Sequence, residues 1–263
     1  MSTGETIDPC RLSPGQNKPG RVACVVPVYN HAEKAAPVIR EIIDMGFPVF
    51  VVDDGSTDSG SRKLDLLQGA VVVRHEENLG KGAALLTGFA EAAKVADWAI
   101  TIDGDGQHNP ADITRLVSAL DERGRPLVVG RRSDEDLENA PWTSRFGRKF
   151  SNFWVRVSGG QRLADTQSGF RVYPLPEILD LNPRARRFQF EVEILVLASW
   201  ASIPVVEAEV GVVYDSARVS HFRPFVDFWR NFFTFTRLIA WRVLSTKKQR
   251  ARWARRSGKN REN

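Results

Sequence analysis

Five short apolar runs rich in Val and Ile, separated by helix-like stretches, restrict the fold of this chain more than any other feature. They are "RVACVVPVY" (21–29), "PVFVVDD" (48–54), "AVVVRHE" (70–76), "DWAITID" (97–103) and "PLVVGRR" (126–132). Runs of this length without polar alternation suit strands buried on both faces. Between them, "HAEKAAPVIREIIDMG" and "KGAALLTGFAEAAKVA" carry apolar residues at helical spacing. The alternation predicts βαβ units: an α/β fold whose central sheet is mostly parallel, with helices on both faces. After Arg132, "SRFGRKFSNFWVRVSGG" reads as an amphipathic helix and "ADTQSGFRVYPL" as a loop leading into a short strand. "RRFQFEVEILVLASWA" follows as a helix and "IPVVEAEVGVVY" as a strand, in which Glu207 and Glu209 alternate with apolar neighbours. Residues 1–20 lack periodicity and read as a disordered lead-in. No repeat or linker divides the remainder.

Three polar clusters fall just past strand ends: "PVYN" after the first strand, "DDGSTD" after the second and "DGDGQH" after the fourth. In open α/β sheets, ligands bind at the carboxyl ends of the strands. One cluster of Asn, Asp and Gly is a turn. Three on one edge predict a site. Within "TIDGDGQHNP" (101–110), Asp103 and Asp105 stand one residue apart, and carboxylates this close repel unless a cation lies between them. Together with Gln107 they offer oxygen ligands, which hard cations such as Mg²⁺ or Mn²⁺ prefer. Gly104 and Gly106 let a bulky ligand approach the backbone. A calcium loop fits poorly: aligning Gly106 with its required glycine puts Thr101 first and Asp112 last, after a strand instead of a helix. Asp112 reads instead as a helix N-terminal charge beside Pro110. A cation held by few protein oxygens keeps positions open for a diphosphate.

"VVPVYN", "VVDDGSTD", "NLGKGAALLTGF", "DGDGQHNP", "GRR", "DTQSGFRVY" and "FEVEIL" together resemble the successive motifs of family 2 glycosyltransferases with the GT-A fold. Within that family the chain is most similar to the dolichyl- and polyprenyl-phosphate sugar synthases, from about Arg21 to Arg223. The resemblance implies a metal-dependent, inverting transfer of a hexose from a UDP- or GDP-sugar to a polyprenyl phosphate. Carried over by position, it implies that Pro27 and Tyr29 border the nucleoside and that Asp53 hydrogen-bonds the base. Asp103, Asp105 and Gln107 would serve metal and diphosphate, with Gly104 among the substrate contacts. Arg131 would face phosphate, and Asp165, Ser168 and Gly169 would form a loop near the acceptor. Glu191 and Glu193 would border the sugar pocket, although a structural carboxylate bound to a partner is an equal reading of Glu193. Asp105, Arg131 and Asp165 are the catalytic candidates. A phosphate acceptor is already anionic at neutral pH and needs no general base.

Two positions depart from the synthase pattern. His31 stands where Glu usually follows the Tyr-Asn pair, and Ser220-His221 stands where Ser-Lys usually closes the acceptor loop. Arg218 or Arg223 would supply the missing charge there. "SHFR" also resembles a bacterial branch found with aryl-polyene lipid biosynthesis, so another lipid or hydroxyl acceptor stays open, as does a non-catalytic nucleotide-sugar binder.

The formal charge of +5 is uneven: residues 245–263 hold eight Lys or Arg and one acid, leaving −2 for residues 1–244. Just before that basic tail, "HFRPFVDFWRNFFTFTRLIAWRVL" aligns Arg223, Asp227, Arg230 and Arg237 on one helical face. Phe225, Phe228, Trp229, Phe232, Phe233, Phe235, Leu238 and Ile239 cover much of the rest. A core helix is one reading. Aromatic density followed by basic charge favours a C-terminal amphipathic helix (223–244) lying in an anionic membrane surface. The expected map is thus a lead-in (1–20), a GT-A domain (21–222), an interface helix (223–244) and a basic tail (245–263). Nucleic acid is not expected as a partner: only the tail and Trp253 suit it, and no recognition motif accompanies them. No apolar run resembles a signal peptide or reaches the roughly 20 residues of a membrane span. Cys10 and Cys24 do not suggest a disulfide framework. The expectation is a peripheral protein on the cytoplasmic face of the membrane.

Overall fold

The computed structural model describes residues 20–120, 125–133, 142–212 and 224–255, with the side chains of 142–144 and 224–228 outside that description. Among the described residues, seven strands form one sheet: β1 (Val22–Val28), β2 (Val49–Asp53), β3 (Ala70–Arg74), β4 (Trp98–Thr101), β5 (Leu127–Arg132), β6 (Arg171–Pro174) and β7 (Val205–Val210). Their order is β3-β2-β1-β4-β6-β5-β7. All pairings are parallel except those of β6, which runs antiparallel to both β4 and β5. The helices are α1 (Ala32–Asp44), α2 (Ser61–Leu64), α3 (Lys81–Ala92), α4 (Ile113–Ser118), α5 (Trp142–Val157), α6 (Phe190–Trp200), α7 (Pro224–Leu244) and α8 (Lys247–Ala254). Every strand and longer helix expected from the sequence is present. The reversed direction of β6 is new.

β1 is buried along its whole length between β2 and β4, as a run with no polar alternation requires. Pro27 is tolerated there for a geometric reason. Alternate residues of β1 bond to opposite neighbours, and Cys24 donates to Pro48 on the β2 side. Pro27 therefore faces the β4 side, where pairing has already ended at Val25↔Thr101, and its missing N–H costs no ladder bond.

The sheet separates two apolar clusters. On one side Ile39 and Ile42 of α1 and Leu116 of α4 pack with Trp98 and Phe170. On the other, Phe89 of α3 and Phe190 and Leu195 of α6 pack with Tyr173, Val155 and Phe235. α7 belongs partly to this second core. Its Phe235 and Leu238 are buried, and Phe235 meets Phe150 and Trp154 of α5 at 6.4 Å each. The first part of the predicted basic tail is also folded. Thr246 and Gln249 form a capping box that opens α8. Trp253 lies 5.6 Å from Trp200 and 5.5 Å from Trp241, with the Arg184 guanidinium over its ring at 5.6 Å. Asn182 N–H donates to Ala254 O at 2.8 Å, so the segment is tied to the body through its backbone as well.

Candidate active site at the strand edge

The loops after β1 and β2 lock each other. Asn30 takes a left-handed conformation (φ 54°), and its Oδ1 accepts from Thr57 N–H (2.8 Å) and Asp58 N–H (3.3 Å) while its own N–H donates to Ser56 Oγ (3.0 Å). Asp53 accepts from Ser56 N–H (3.0 Å), Arg74 Nε (3.3 Å) and the Ser61 hydroxyl. Burial alone would raise its pKa. Those bonds outweigh burial and hold the carboxyl below the ordinary range. Asp54 performs a different task. It accepts from Leu79 N–H (3.0 Å) and Gly80 N–H (2.8 Å). His75 bridges it to Thr87, through Nδ1 at 2.7 Å and Nε2 at 3.0 Å. Asp54 thereby fixes the turn that starts α3.

The first residue of α3 then reaches into the centre of the edge. Lys81 Nζ lies 2.7 and 2.9 Å from the two oxygens of Asp103 and 2.6 Å from Glu191 Oε1. Burial would depress the ammonium, but the two carboxylates outweigh it and raise its pKa. Asp103 is in turn held below the ordinary range, because Lys81 outweighs the cost of its own burial. Gly169 closes over this trio: a Cβ there would stand 2.6 Å from Asp103 Oδ2, 2.8 Å from Lys81 Nζ and 3.0 Å from Glu191 Oε1. Only glycine lets the backbone come so near. Asp105, two residues on, accepts at Oδ1 from Gln107 N–H at 3.1 Å, its one hydrogen bond among the described residues. Gly106 has φ +76°, with open space where a side chain would project.

The loop carrying Asp165, Ser168 and Gly169 is held from every side. Thr101 Oγ1 donates to Gly169 O at 2.6 Å. The fully buried Arg171 guanidinium donates to three carbonyls: Ser168 O (2.7 Å), Glu191 O (2.8 Å) and Thr166 O (2.9 Å). Asn152 of α5 donates to Ala164 O and accepts from Thr166, and Glu207 of β7 accepts from the backbone N–H groups of Ala164 and Asp165. Asp165 is buried and takes both arms of Arg132, at 2.6 and 2.9 Å. Burial would raise its pKa, and Arg132 prevails and lowers it.

The other expected residues are distributed as follows. Pro27 is buried in β1 and Tyr29 half-buried at its end. His31 opens α1 with Nδ1 2.7 Å from Tyr29 O, and its Nε2 would lie 3.3 Å from a Cβ on Gly104. Arg131, at the end of β5, pairs with Glu209 of β7 at 2.8 Å. Glu193 faces away from the strand edge: its buried carboxylate accepts from Arg184 N–H (3.0 Å), Ala185 N–H (2.6 Å) and Arg237 of α7. Arg218, His221 and Arg223 lie outside the described residues. Lys81, Asp54, Arg132 and Arg171 were not singled out from sequence. A lysine leading a helix, against the helix dipole, and an arginine inside an apolar strand were the available signals.

Residues 23–175 match the family model described as Glycosyl transferase family 2. The chain belongs to that family. It is 27% identical over 212 residues to the UDP-N-acetylglucosamine--dolichyl-phosphate N-acetylglucosaminyltransferase of Methanococcus voltae, covering 72% of this chain and 84% of that one. It is 30% identical over 228 residues to the polyprenol monophosphomannose synthase of Mycolicibacterium smegmatis, covering 79% and 81%. Among solved structures, GalNAc-T7 with UDP, GalNAc and Mn²⁺ superposes with a TM-score of 0.54 at 11% identity, over 88% of this chain and 54% of that larger one. This last likeness is one of fold. The family-2 glycosyltransferase assignment makes the chain a transferase.

GT-A glycosyltransferases commonly use a divalent metal, and the donors present in this glycosyltransferase decide whether one fits. Among the described residues, no group of three or more His, Cys, Asp and Glu side chains could by itself hold an ion. Asp103 is turned to Lys81, whereas Asp105 accepts one backbone hydrogen bond beside an open glycine. A hard cation on Asp105, with Asp103 and Gln107 nearby and its shell completed by diphosphate and water, suits this oxygen set. These oxygen donors are of the kind a hard cation takes.

Proposed function

We propose that this glycosyltransferase moves a hexose, with inversion, from a UDP- or GDP-sugar to a polyprenyl phosphate at the cytoplasmic face of a membrane. The observation that carries the reading is the meeting of the Asp103–Gln107 loop, the Lys81–Glu191 pair and the Ser168–Gly169 loop at one strand edge, together with relatives named for dolichyl-phosphate and polyprenol substrates. Tyr29 and Asp53 border the nucleoside, and of the expected set Asp103, Asp105 and Gln107 it is Asp105, with Gln107, that holds a Mg²⁺ or Mn²⁺ ion, Asp103 being turned to Lys81. When bound, the ion supplies Lewis-acid stabilisation of the charge on the departing diphosphate. Asp105 presents the carboxylate for it, and Gly106, with open space where a side chain would project, keeps the backbone clear for the diphosphate, while Gly104 lets the loop pack against Ala35 of α1. Asp165 is bound to both arms of Arg132 and holds no proton at neutral pH. It positions Arg132 and the acceptor loop, and a phosphate acceptor asks for no base. By the family resemblance Arg131, here paired with Glu209, and Arg218 or Arg223 would supply positive charge to the phosphates.

For the membrane, the support is a cluster of outward rings on α7. Trp229, Phe232 and Phe233 are exposed and lie 5.6–6.1 Å from one another. Among the described residues no helix is long and apolar enough to cross a membrane. Rings of this kind beside basic residues suit insertion at an anionic surface.

The test is purified full-length chain incubated with a panel of UDP- and GDP-sugars and polyprenyl phosphate in detergent, reading nucleotide release and the mass of the lipid product. One sugar is expected to transfer, with turnover lost in EDTA and restored by Mn²⁺ or Mg²⁺. Asp105→Asn should lower turnover by roughly 10²-fold or more with an unchanged unfolding transition. Full activity in EDTA would remove the metal. Transfer to a lipid hydroxyl but never to a phosphate would replace the acceptor.

A further inference from the structure

The least expected group at the strand edge is the Lys81 ammonium. It stands where α3 begins, at a helix end whose free N–H groups already carry partial positive charge. A lysine is unfavourable there unless carboxylates hold it, and two do: Asp103 at 2.7 Å and Glu191 at 2.6 Å. The space is closed above by Gly169, whose backbone leaves no room for a side chain beside any of the three. The nearby Arg132 guanidinium is already taken by Asp165. With Asp105 two residues from Asp103, the strand edge carries three carboxylates and one ammonium here, a deficit that a single divalent ion would neutralise.

We propose that Lys81 is the resident cation of this site: a positioning residue that withdraws Asp103 from metal binding, fixes Glu191 beside it, and limits the loop to one divalent ion on Asp105. The inference rests on the metal-dependent reading above. Without the ammonium, Asp103 and Glu191 would face each other across a gap that now accommodates a cation, and like-charged carboxylates at that distance repel strongly. A hard divalent ion is the species that would relieve the repulsion, since all the available ligands are oxygens. The role also explains why the site uses lysine: a compact ammonium bonds three oxygens from a narrow space, which a planar guanidinium would not enter.

The experiment measures Mn²⁺ binding by the full chain without nucleotide, using electron paramagnetic resonance of free Mn²⁺, alongside thermal unfolding in EDTA and in Mn²⁺. Lys81→Met is expected to bind about one more Mn²⁺ per chain than the wild type. It should unfold at lower temperature in EDTA and recover in Mn²⁺ by more than the wild type does. Adding Glu191→Gln to Lys81→Met should abolish the extra ion. A folded Lys81→Met that binds only the wild-type number of ions overturns the proposal, and so does a Lys81→Met that is unfolded in EDTA and gains nothing from Mn²⁺. If the wild type and Asp105→Asn both bind no Mn²⁺, the metal-dependent reading fails on its own. An ion gained by Lys81→Met would still mark Lys81 as the cation in that place.

Discussion

Glu191 and Glu193 stand two residues apart on α6 and serve different halves of the molecule. Glu191 faces the strand edge and shares the Lys81 ammonium with Asp103. Glu193 faces the seam with α7 and is taken by two backbone N–H groups and Arg237. The electrostatics differ in direction. At the edge, Asp53 and Asp165 are buried, yet their donors win and hold them ionised. At the seam burial wins, and the Glu193 pKa rises despite Arg237 and the two amides. Asp53 and Asp165 each have donors enough to outweigh burial, as carboxylates that must stay ionised require. The seam carries only as many as join two helices. α6 is the shared element, so a change on one of its faces can be tested for silence on the other.

The largest effect expected from such a change is on stability. Glu193→Ala leaves the N–H groups of Arg184 and Ala185 and the Arg237 guanidinium without their acceptor. An unsatisfied buried group costs about 1–3 kcal/mol, and with Arg237 partly exposed we expect a total of about 2–3 kcal/mol. Urea unfolding should register that loss, while titration calorimetry of the folded fraction should find unchanged nucleotide-sugar affinity. Weakened nucleotide binding at full stability would place Glu193 in the sugar pocket and end the division between edge and seam.

Much of the edge was legible because a doubly buried parallel strand leaves an uninterrupted apolar run, and the polar residues after it have one place to go. Asp103 and Asp105 stand out that way, whereas Ser168, in the loop before β6, stands out only through the family resemblance. Lys81 does not: its partners stand at positions 103 and 191, and no local pattern links them. Arg131 and Arg132 show the limit in a smaller way. Neighbours on a strand project to opposite faces, and sequence alone did not say which would meet Asp165. It is Arg132. The antiparallel course of β6 was equally hidden, because a four-residue strand carries no direction. At the C-terminus a local signal is present. "TKKQ" at 246–249 has the form of a capping box, and α8 starts there. Of the core and membrane readings of α7 the structure bears on the first: Phe235 and Leu238 point inward while Trp229, Phe232 and Phe233 point out.

That two-faced helix gives the second prediction. Trp229, Phe232 and Phe233 are 53%, 39% and 65% exposed, so replacing all three with Ser should change stability by no more than about 1 kcal/mol. If the rings enter an anionic membrane surface, liposome sedimentation should show affinity falling by about tenfold or more. The part of binding that survives high salt should suffer most, because the basic residues around the rings remain. Nucleotide-sugar binding at the edge should not move. Unchanged liposome binding by the triple variant would show that the seam side does not face lipid.

The smallest effect separates edge from seam by the sign of its pH dependence. Asp165 in the folded protein lies below its ordinary value of 3.8. Its contribution to stability is therefore complete above that pH and is lost as pH falls through the folded value. Glu193 lies above its ordinary value of 4.5, so its contribution is complete below that pH and is lost as pH rises through the folded value. A tenfold difference in proton affinity between the folded and unfolded chain corresponds to about 1.4 kcal/mol, which sets the scale of both limbs. Glu193→Gln should flatten the stability profile above pH 4.5 and leave the acid limb alone. Asp165→Asn should flatten the acid limb below pH 3.8, apart from a uniform loss due to the broken pair with Arg132. Urea unfolding of the wild type and both variants between about pH 3 and pH 7 measures the slopes. If the Glu193→Gln profile runs parallel to the wild type above 4.5, burial does not prevail at the seam, and the two carboxylate environments differ only in their partners.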